Sequence, residues 1–205
     1  MTESVIFEQP ARFKSILIFG PPGSGKGTQG KFLSGAGNHF HLSSGDVFRG
    51  LSPESPAGKI YHKYAAKGLL VPDEVTIKIW HHYVMGLIST NRYFPNEQYL
   101  LLDGIPRTVE QAKQLEKYIE IEAIIVLRAA KQSTLLKRMQ RRAMIEKRHD
   151  DMDSNVLKKR FEIYNKDTKK VLNFYKEKNI YRFEASKKPL EVLRDILDEI
   201  CHILA

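Results

Sequence analysis

Short apolar runs alternate along the chain with longer stretches in which apolar residues recur every three or four positions. The runs Ser15–Phe19, His39–Ser43, Tyr99–Leu102, Ile121–Leu127 and Ile180–Phe183 have strand length and read as short buried strands. Between them, Val75–Ser89 sets Ile77, Trp80, Val84 and Leu87 at helical spacing. Asn155–Glu177 does the same with Phe161, Tyr164, Thr168, Val171 and Tyr175. These aromatics read as core. A further helix is predicted over Thr28–Leu33. Strands alternating with helices predict an α/β fold, a parallel sheet covered on both faces. The Gly/Ser/Pro-rich stretch Gly45–Gly58 reads as the opening of an inserted segment and not as an interdomain linker. Met1–Lys14, with Glu3, Glu8 and Pro10 and no apolar stretch, reads as a loose leader and not as a signal peptide.

Composition narrows this picture. The 205 residues suffice for one domain with a sizeable core, and 42% hydrophobic against 28% charged excludes a disordered chain. No apolar run approaches the ~18 residues needed to span a bilayer, so no membrane partner is expected, and a lone cysteine suits a reducing cytoplasm. The single cysteine, Cys201, makes neither an internal disulfide nor a zinc knuckle, and no structural zinc is expected. The formal charge of +9 suits polyanions, either nucleic acid or nucleotide phosphates. Charge alone leaves both open. The histidines show no metal-like spacing.

The chemistry begins at Gly20-Pro-Pro-Gly23-Ser24-Gly25-Lys26-Gly27-Thr28, which follows the apolar Ile16–Phe19 and precedes a helix. Strand, glycine-rich loop and helix together make a phosphate-binding P-loop. Its glycines let backbone N–H groups turn inward, the helix N-terminus adds partial positive charge, and Lys26 can reach the outer phosphates. The strict pattern places Ser or Thr directly after the lysine; here Gly27 stands there and Thr28 follows. Tyr99–Leu102 runs into Asp103-Gly104, an acid at the carboxyl edge of a strand, where a carboxylate that organises Mg²⁺ belongs.

Phosphoryl transfer asks the protein for alignment and for neutralisation of spread negative charge. Arginine, always charged and fork-shaped, suits both tasks. Candidates are Arg49, Arg107, Arg138, Arg142, Arg148 and Arg160; Arg138 and Arg142 share a helix face. Arg107 is fixed in the short turn Gly104-Ile105-Pro106-Arg107. Arg141 and Lys137 read as solvated helix surface.

The motifs Gly20–Gln29 (GPPGSGKGTQ), Leu42–Arg49 (LSSGDVFR), Gly68–Glu74 (GLLVPDE), Asp103–Ala112 (DGIPRTVEQA) and the stretch through Arg148-His-Asp-Asp151, in that order, resemble the adenylate kinases, a branch of the nucleoside monophosphate kinases. The likeness runs from about Ser15 to the C-terminus, and Gly27 followed by Thr28 is the usual form there. It implies a P-loop NTPase-type doubly wound parallel five-stranded sheet with a helical acceptor-binding insertion and a short lid. The implied organisation is a core of 15–42, 73–141 and 153–205, an acceptor segment of 43–72 and a lid of 142–152. The implied reaction is reversible transfer from MgATP to AMP, giving two ADP, by a monomer that binds no nucleic acid. Gly23, Ser24, Gly25, Lys26, Gly27 and Thr28 would wrap the ATP phosphates. Arg138 would cover the ATP adenine, and Lys188 lies in the loop that passes that base. Ser44, Arg49, Leu69, Leu70, Val71, Gly104, Ile105, Pro106, Arg107 and Gln111 would bind AMP. Lys26, Arg107, Arg142, Arg148 and Arg160 would bracket the phosphoryl group in flight, with Arg148 and Arg160 also touching AMP. Asp103 would hold Mg²⁺ through water.

Gln111 offers a donor and an acceptor to an adenine edge, but Thr108-x-x-Gln111 is also a capping box in which it would bond backbone. Thr108 and Ser44 favour AMP over CMP or UMP, since pyrimidine-directed relatives usually carry Asn and Ala there. The chain departs from the resemblance in three places. Ile105 stands where Phe or Tyr is commoner, and Ala143–Lys147 lacks glycine. The span from Asp151 to Arg160 has one extra residue, so either Arg160 or Lys159 could fill the last cationic position. The alternatives are a pyrimidine monophosphate kinase of the same fold, and a P-loop nucleotide-binding or nucleic-acid-binding protein.

Overall fold

The computed structural model describes residues 12–129, 131–146 and 153–204. The five expected strands are present as β1 (Phe13–Phe19), β2 (Phe40–Ser43), β3 (Leu100–Asp103), β4 (Ile119–Arg128) and β5 (Ile180–Glu184). All pair in parallel, in the order β2-β3-β1-β4-β5. Alternate residues of a strand face opposite sides. Leu17, Leu100, Leu102, Ile124 and Val126 therefore enter one core layer, and Ile16, Ile18, Leu101, Ile125 and Leu127 enter the other.

Helices α1 (Lys26–Gly37), α2 (Ser44–Arg49), α3 (Pro56–Ala65), α4 (Asp73–Ser89), α5 (Val109–Leu115), α6 (Gln132–Glu146), α7 (Ser154–Ile163), α8 (Lys169–Phe174) and α9 (Pro189–Leu204) fill the connections. One face of the sheet is covered by Ile77, Trp80, Val84 and Leu87 of α4 with Leu115 and Val171 of α5 and α8. The other face is covered by Leu33 of α1 and by Val192, Ile196 and Ile200 of α9. Trp80 is 1% exposed, and a buried side chain of that size is worth ~3–5 kcal/mol against alanine. This is the doubly wound sheet that the alternating pattern implies. Its strand order reverses at β1, so the crevice at the carboxyl end of β1 is where a ligand would sit. Among the described residues no helix is long and apolar enough to cross a membrane.

Two expectations are corrected. The first strand begins at Phe13, not Ser15, so Phe13 and Lys14 do not belong to a leader. Phe13 is buried, its N–H bonds the Tyr118 carbonyl at 2.8 Å, and its ring meets Tyr93 edge-on at 6.0 Å. An inward Phe between outward Arg12 and Lys14 breaks the apolar run without ending the strand. The stretch Asn155–Glu177 is not one regular helix, because a π-helical turn at Tyr164–Thr168 separates α7 from α8. The wider turn resets the helix face. Phe161 thereby packs with Leu135 and Met139 of α6, while Val171 and Tyr175 pack under the sheet.

Candidate active site

After β1 the chain turns through Gly20–Gly25 into α1. Gly25 is left-handed (φ 94°), a conformation open to glycine, and it leads into α1 with no side-chain cap. The first N–H groups of α1 are thus left to meet an anion. All six predicted loop residues, Gly23 to Thr28, line one cleft, which is also bordered by Asp103, Arg138 and Arg142. Lys26 Nζ donates to the carbonyls of Gly20 at 2.9 Å and Pro21 at 3.2 Å. Burial lowers its pKa to about 8; Asp103 opposes that shift, and Arg107, Arg160 and Arg142 add to it. A phosphate in this cleft would reverse the balance by favouring the charged amine.

Asp103 closes β3, in register with Ile18 of β1 and Ser43 of β2. It is 8% exposed, and its Oδ2 lies 4.0 Å from His41 Nε2. Burial, more than any neighbour, pushes the His41 pKa down, so His41 is neutral at pH 7 and leaves the carboxylate available to a cation. Among the described residues no group of three or more His, Cys, Asp and Glu gathers to hold a metal. An ion here would rest on one carboxylate and on its substrate's phosphates, the habit of magnesium.

A second cleft, of about 160 Å³, opens beside the first. Gly104 is left-handed (φ 83°), and a Cβ there would stand 2.7 Å from Ser44 Oγ, so only glycine lets β3 pass so close to α2. Ser44, Arg49, Leu69, Leu70, Val71, Gly104, Ile105, Pro106, Arg107 and Gln111, all predicted, line it, as does Arg160. The Ile105–Pro106 bond is cis, and Ile105 is part of the core.

Arg107 is anchored at three points. Its N–H donates to Gln111 Oε1 at 2.8 Å, its Nε donates to the Gly104 carbonyl at 2.7 Å, and its carbonyl accepts from Thr168 Oγ1 at 3.2 Å. The terminal nitrogens are not used in these bonds. Burial first, then Arg160, lowers its pKa to about 10. Gln111 makes half of the capping box, its N–H reaching Thr108 Oγ1 at 3.1 Å. Its side chain does not close the box on Thr108; it bonds Arg107 N–H and, through Nε2, Asp73 Oδ1 at 2.8 Å.

The two clefts share Lys26, Arg49, Arg107 and Arg160. Of the two candidates for the last cation, Arg160 borders both clefts, whereas Lys159 is exposed and pairs with Glu162 at 3.3 Å. Arg148 lies outside the described residues.

Lys188 is exposed, and its neighbours Lys187 and Pro189 border the first cleft. The Lys188 N–H is tied to Glu191 Oε2 at 2.8 Å at the start of α9. Arg138 donates to the carbonyls of Ala185 at 2.7 Å and Ser186 at 3.4 Å, so it braces that same loop. Arg141, assigned to solvated surface, is exposed but borders the cleft. Sequence reading missed Phe48 and Tyr61, whose rings pack 5.7 Å apart in the second cleft, and also Asp73 and Thr168. No local pattern marks Thr168, whose partner is 61 positions away.

A P-loop at the carboxyl edge of a parallel sheet, with a second cleft joined to it through shared cations, defines a phosphotransferase with two substrate sites. The adenylate kinase family model matches residues 18–180, and the chain belongs to the adenylate kinase family. Its relatives include an adenylate kinase of Flavobacterium johnsoniae, 36% identical over 171 residues that cover 80% of this chain and 86% of that one. An adenylate kinase of Clostridium botulinum is 31% identical over 221 aligned positions, 92% and 98% of the two chains. One of Borrelia recurrentis is 32% identical over 217 positions, 92% and 97%.

Proposed function

We propose that this chain passes the terminal phosphoryl group of MgATP directly to AMP, giving two ADP. The observation that carries this reading is the meeting of two clefts on Lys26, Arg107 and Arg160. A donor whose phosphates follow the P-loop and an acceptor whose phosphate reaches Arg107 would bring their reacting ends together at those cations. The protein then contributes alignment and charge neutralisation, with no covalent intermediate.

On this reading Gly23 to Thr28 wrap the donor phosphates, and Lys26 follows charge to the transition state. Arg138 and the loop at Lys187 flank the donor base. Ser44, Arg49, Leu69 to Val71, Gly104 to Arg107 and Gln111 hold the acceptor. Arg142 and Arg160, with Arg148, neutralise the group in transfer. A magnesium ion beside Asp103 would supply further charge neutralisation on the donor phosphates. Segments 43–72 and 142–152, the latter outside the described residues from 147 onward, would close over the substrates and exclude water, which would otherwise accept the phosphoryl group. On this reading the protein acts as a cytoplasmic monomer on small nucleotides.

The test is ADP formation from MgATP with AMP, CMP, UMP or GMP offered separately. Turnover with AMP that EDTA abolishes is the expected result. Preference for CMP or UMP would overturn the roles given to Ser44, Thr108 and Gln111. An absence of turnover with all four would overturn the reading itself.

A further inference from the structure

We infer that Asp73 determines which purine the acceptor cleft takes, by locking the side-chain amide of Gln111 in one of its two orientations; this rests on the acceptor site proposed above. Gln111 is 1% exposed and lines the second cleft. Its Nε2 donates to Asp73 Oδ1 at 2.8 Å and its Oε1 accepts from Arg107 N–H at 2.8 Å. An aspartate carboxylate only accepts and a backbone N–H only donates. The assignment of oxygen and nitrogen is therefore forced. A flipped amide would set oxygen against carboxylate and NH₂ against N–H. After these two bonds the amide retains one N–H and one lone pair.

That remaining pair matters because purines come in two complementary forms at the edge it would meet. Adenine offers an exocyclic amine donor beside the N1 acceptor. The 6-oxo purines offer an O6 acceptor beside an N1–H donor. A freely turning glutamine could pair with either edge by rotating its amide through half a turn. A locked one satisfies a single form and meets the other with donor against donor and acceptor against acceptor. Buried polar groups left mispaired are a strong source of discrimination. Asp73 itself does not line the cleft; it stands at the first turn of α4 and acts through Gln111. Sequence separation hides the link, since the two residues are 38 apart.

The experiment compares kcat/KM for AMP and for inosine monophosphate, a 6-oxo purine of nearly the same shape, in the wild type and in Asp73→Asn. Asparagine keeps the shape of aspartate but can donate as well as accept, so it removes the preference set by Asp73 and leaves the Arg107 N–H alone to hold the amide. The AMP-to-IMP ratio should fall by roughly threefold or more, through the acceptor KM, with the KM for ATP unchanged. Asp73→Ala, which removes the acceptor altogether, should lower the ratio in the same direction, and thermal melts show whether either variant has lost its fold. An unchanged ratio in a folded variant, with AMP turnover intact, overturns the inference. A wild type without AMP turnover would overturn the acceptor reading on which it rests, and the inference with it.

Discussion

Replacing Arg107 by methionine separates what this residue does from what it costs. Its pKa falls well below the usual guanidinium value, to about 10, chiefly by burial and next by Arg160. A shift of that size is of order 2–3 kcal/mol against the charged form, after a discount for the solvent that reaches the cleft. The guanidinium is charged at pH 7 in the folded and unfolded chain alike, so the whole of this term opposes folding. Methionine removes it and keeps most of the apolar stem. The bond from Nε to the Gly104 carbonyl is lost, which gives back roughly 1–2 kcal/mol. The net expectation is a stability unchanged or raised by up to about 2 kcal/mol, and a Tm unchanged or a few degrees higher. Activity should move the opposite way. Losing a preorganised cationic donor at the transferred group costs roughly 10²–10³ in kcat. Circular-dichroism melts and ADP-formation rates on the same preparation test both halves. A variant that melts several degrees lower while keeping kcat within tenfold would show Arg107 to be a structural residue, and would refute the reasoning.

The free amine of Lys26 titrates near pH 8 because burial lowers its pKa, and bound phosphate should hold it charged. Donor affinity, measured by calorimetry, should thus be level below pH 7 and weaken by up to about tenfold per unit above pH 8, a slope absent in Lys26→Met. The unliganded protein should gain stability between about pH 8 and 10.5, where the unfolded chain binds the extra proton. Thr168→Val deletes the hydroxyl that holds the Arg107 carbonyl. It should lower stability by ~1–2 kcal/mol and raise the acceptor KM, and Thr168→Ser should restore both. Arg160→Ala should lower kcat by roughly 10², whereas Lys159→Ala should leave it within error.

The sheet was legible because its central strands β1, β3 and β4 carry dense apolar runs, and because α4 keeps a clean helical period through Ile77, Trp80, Val84 and Leu87. What sequence periodicity misplaced were edges and irregularities. Phe13 extends β1 beyond its apolar run, and the π-helical turn at Tyr164–Thr168 carries the same polar residues as a regular helix would. The P-loop was legible since its chemistry is local. The loop, the helix start and the lysine are consecutive in the chain. The support of Arg107 was not legible, because Gln111, Gly104 and Thr168 reach it from three separate elements. The loop that carries Lys188 was legible by resemblance, but not that Lys187 borders the cleft while the Lys188 backbone is tied to Glu191. Gln111 carried two readings, a cap and a base contact. In the structure its N–H bonds the Thr108 hydroxyl, and its side chain bonds the Arg107 N–H and Asp73.

The central claim is that donor and acceptor phosphates meet across Lys26, Arg107 and Arg160 and that the phosphoryl group passes in one direct step. The most direct measurement is the configuration at phosphorus after transfer from ATP made chiral in its terminal phosphoryl group to AMP. A single in-line displacement predicts inversion. Retention would require a phosphorylated enzyme intermediate, and would contradict the account.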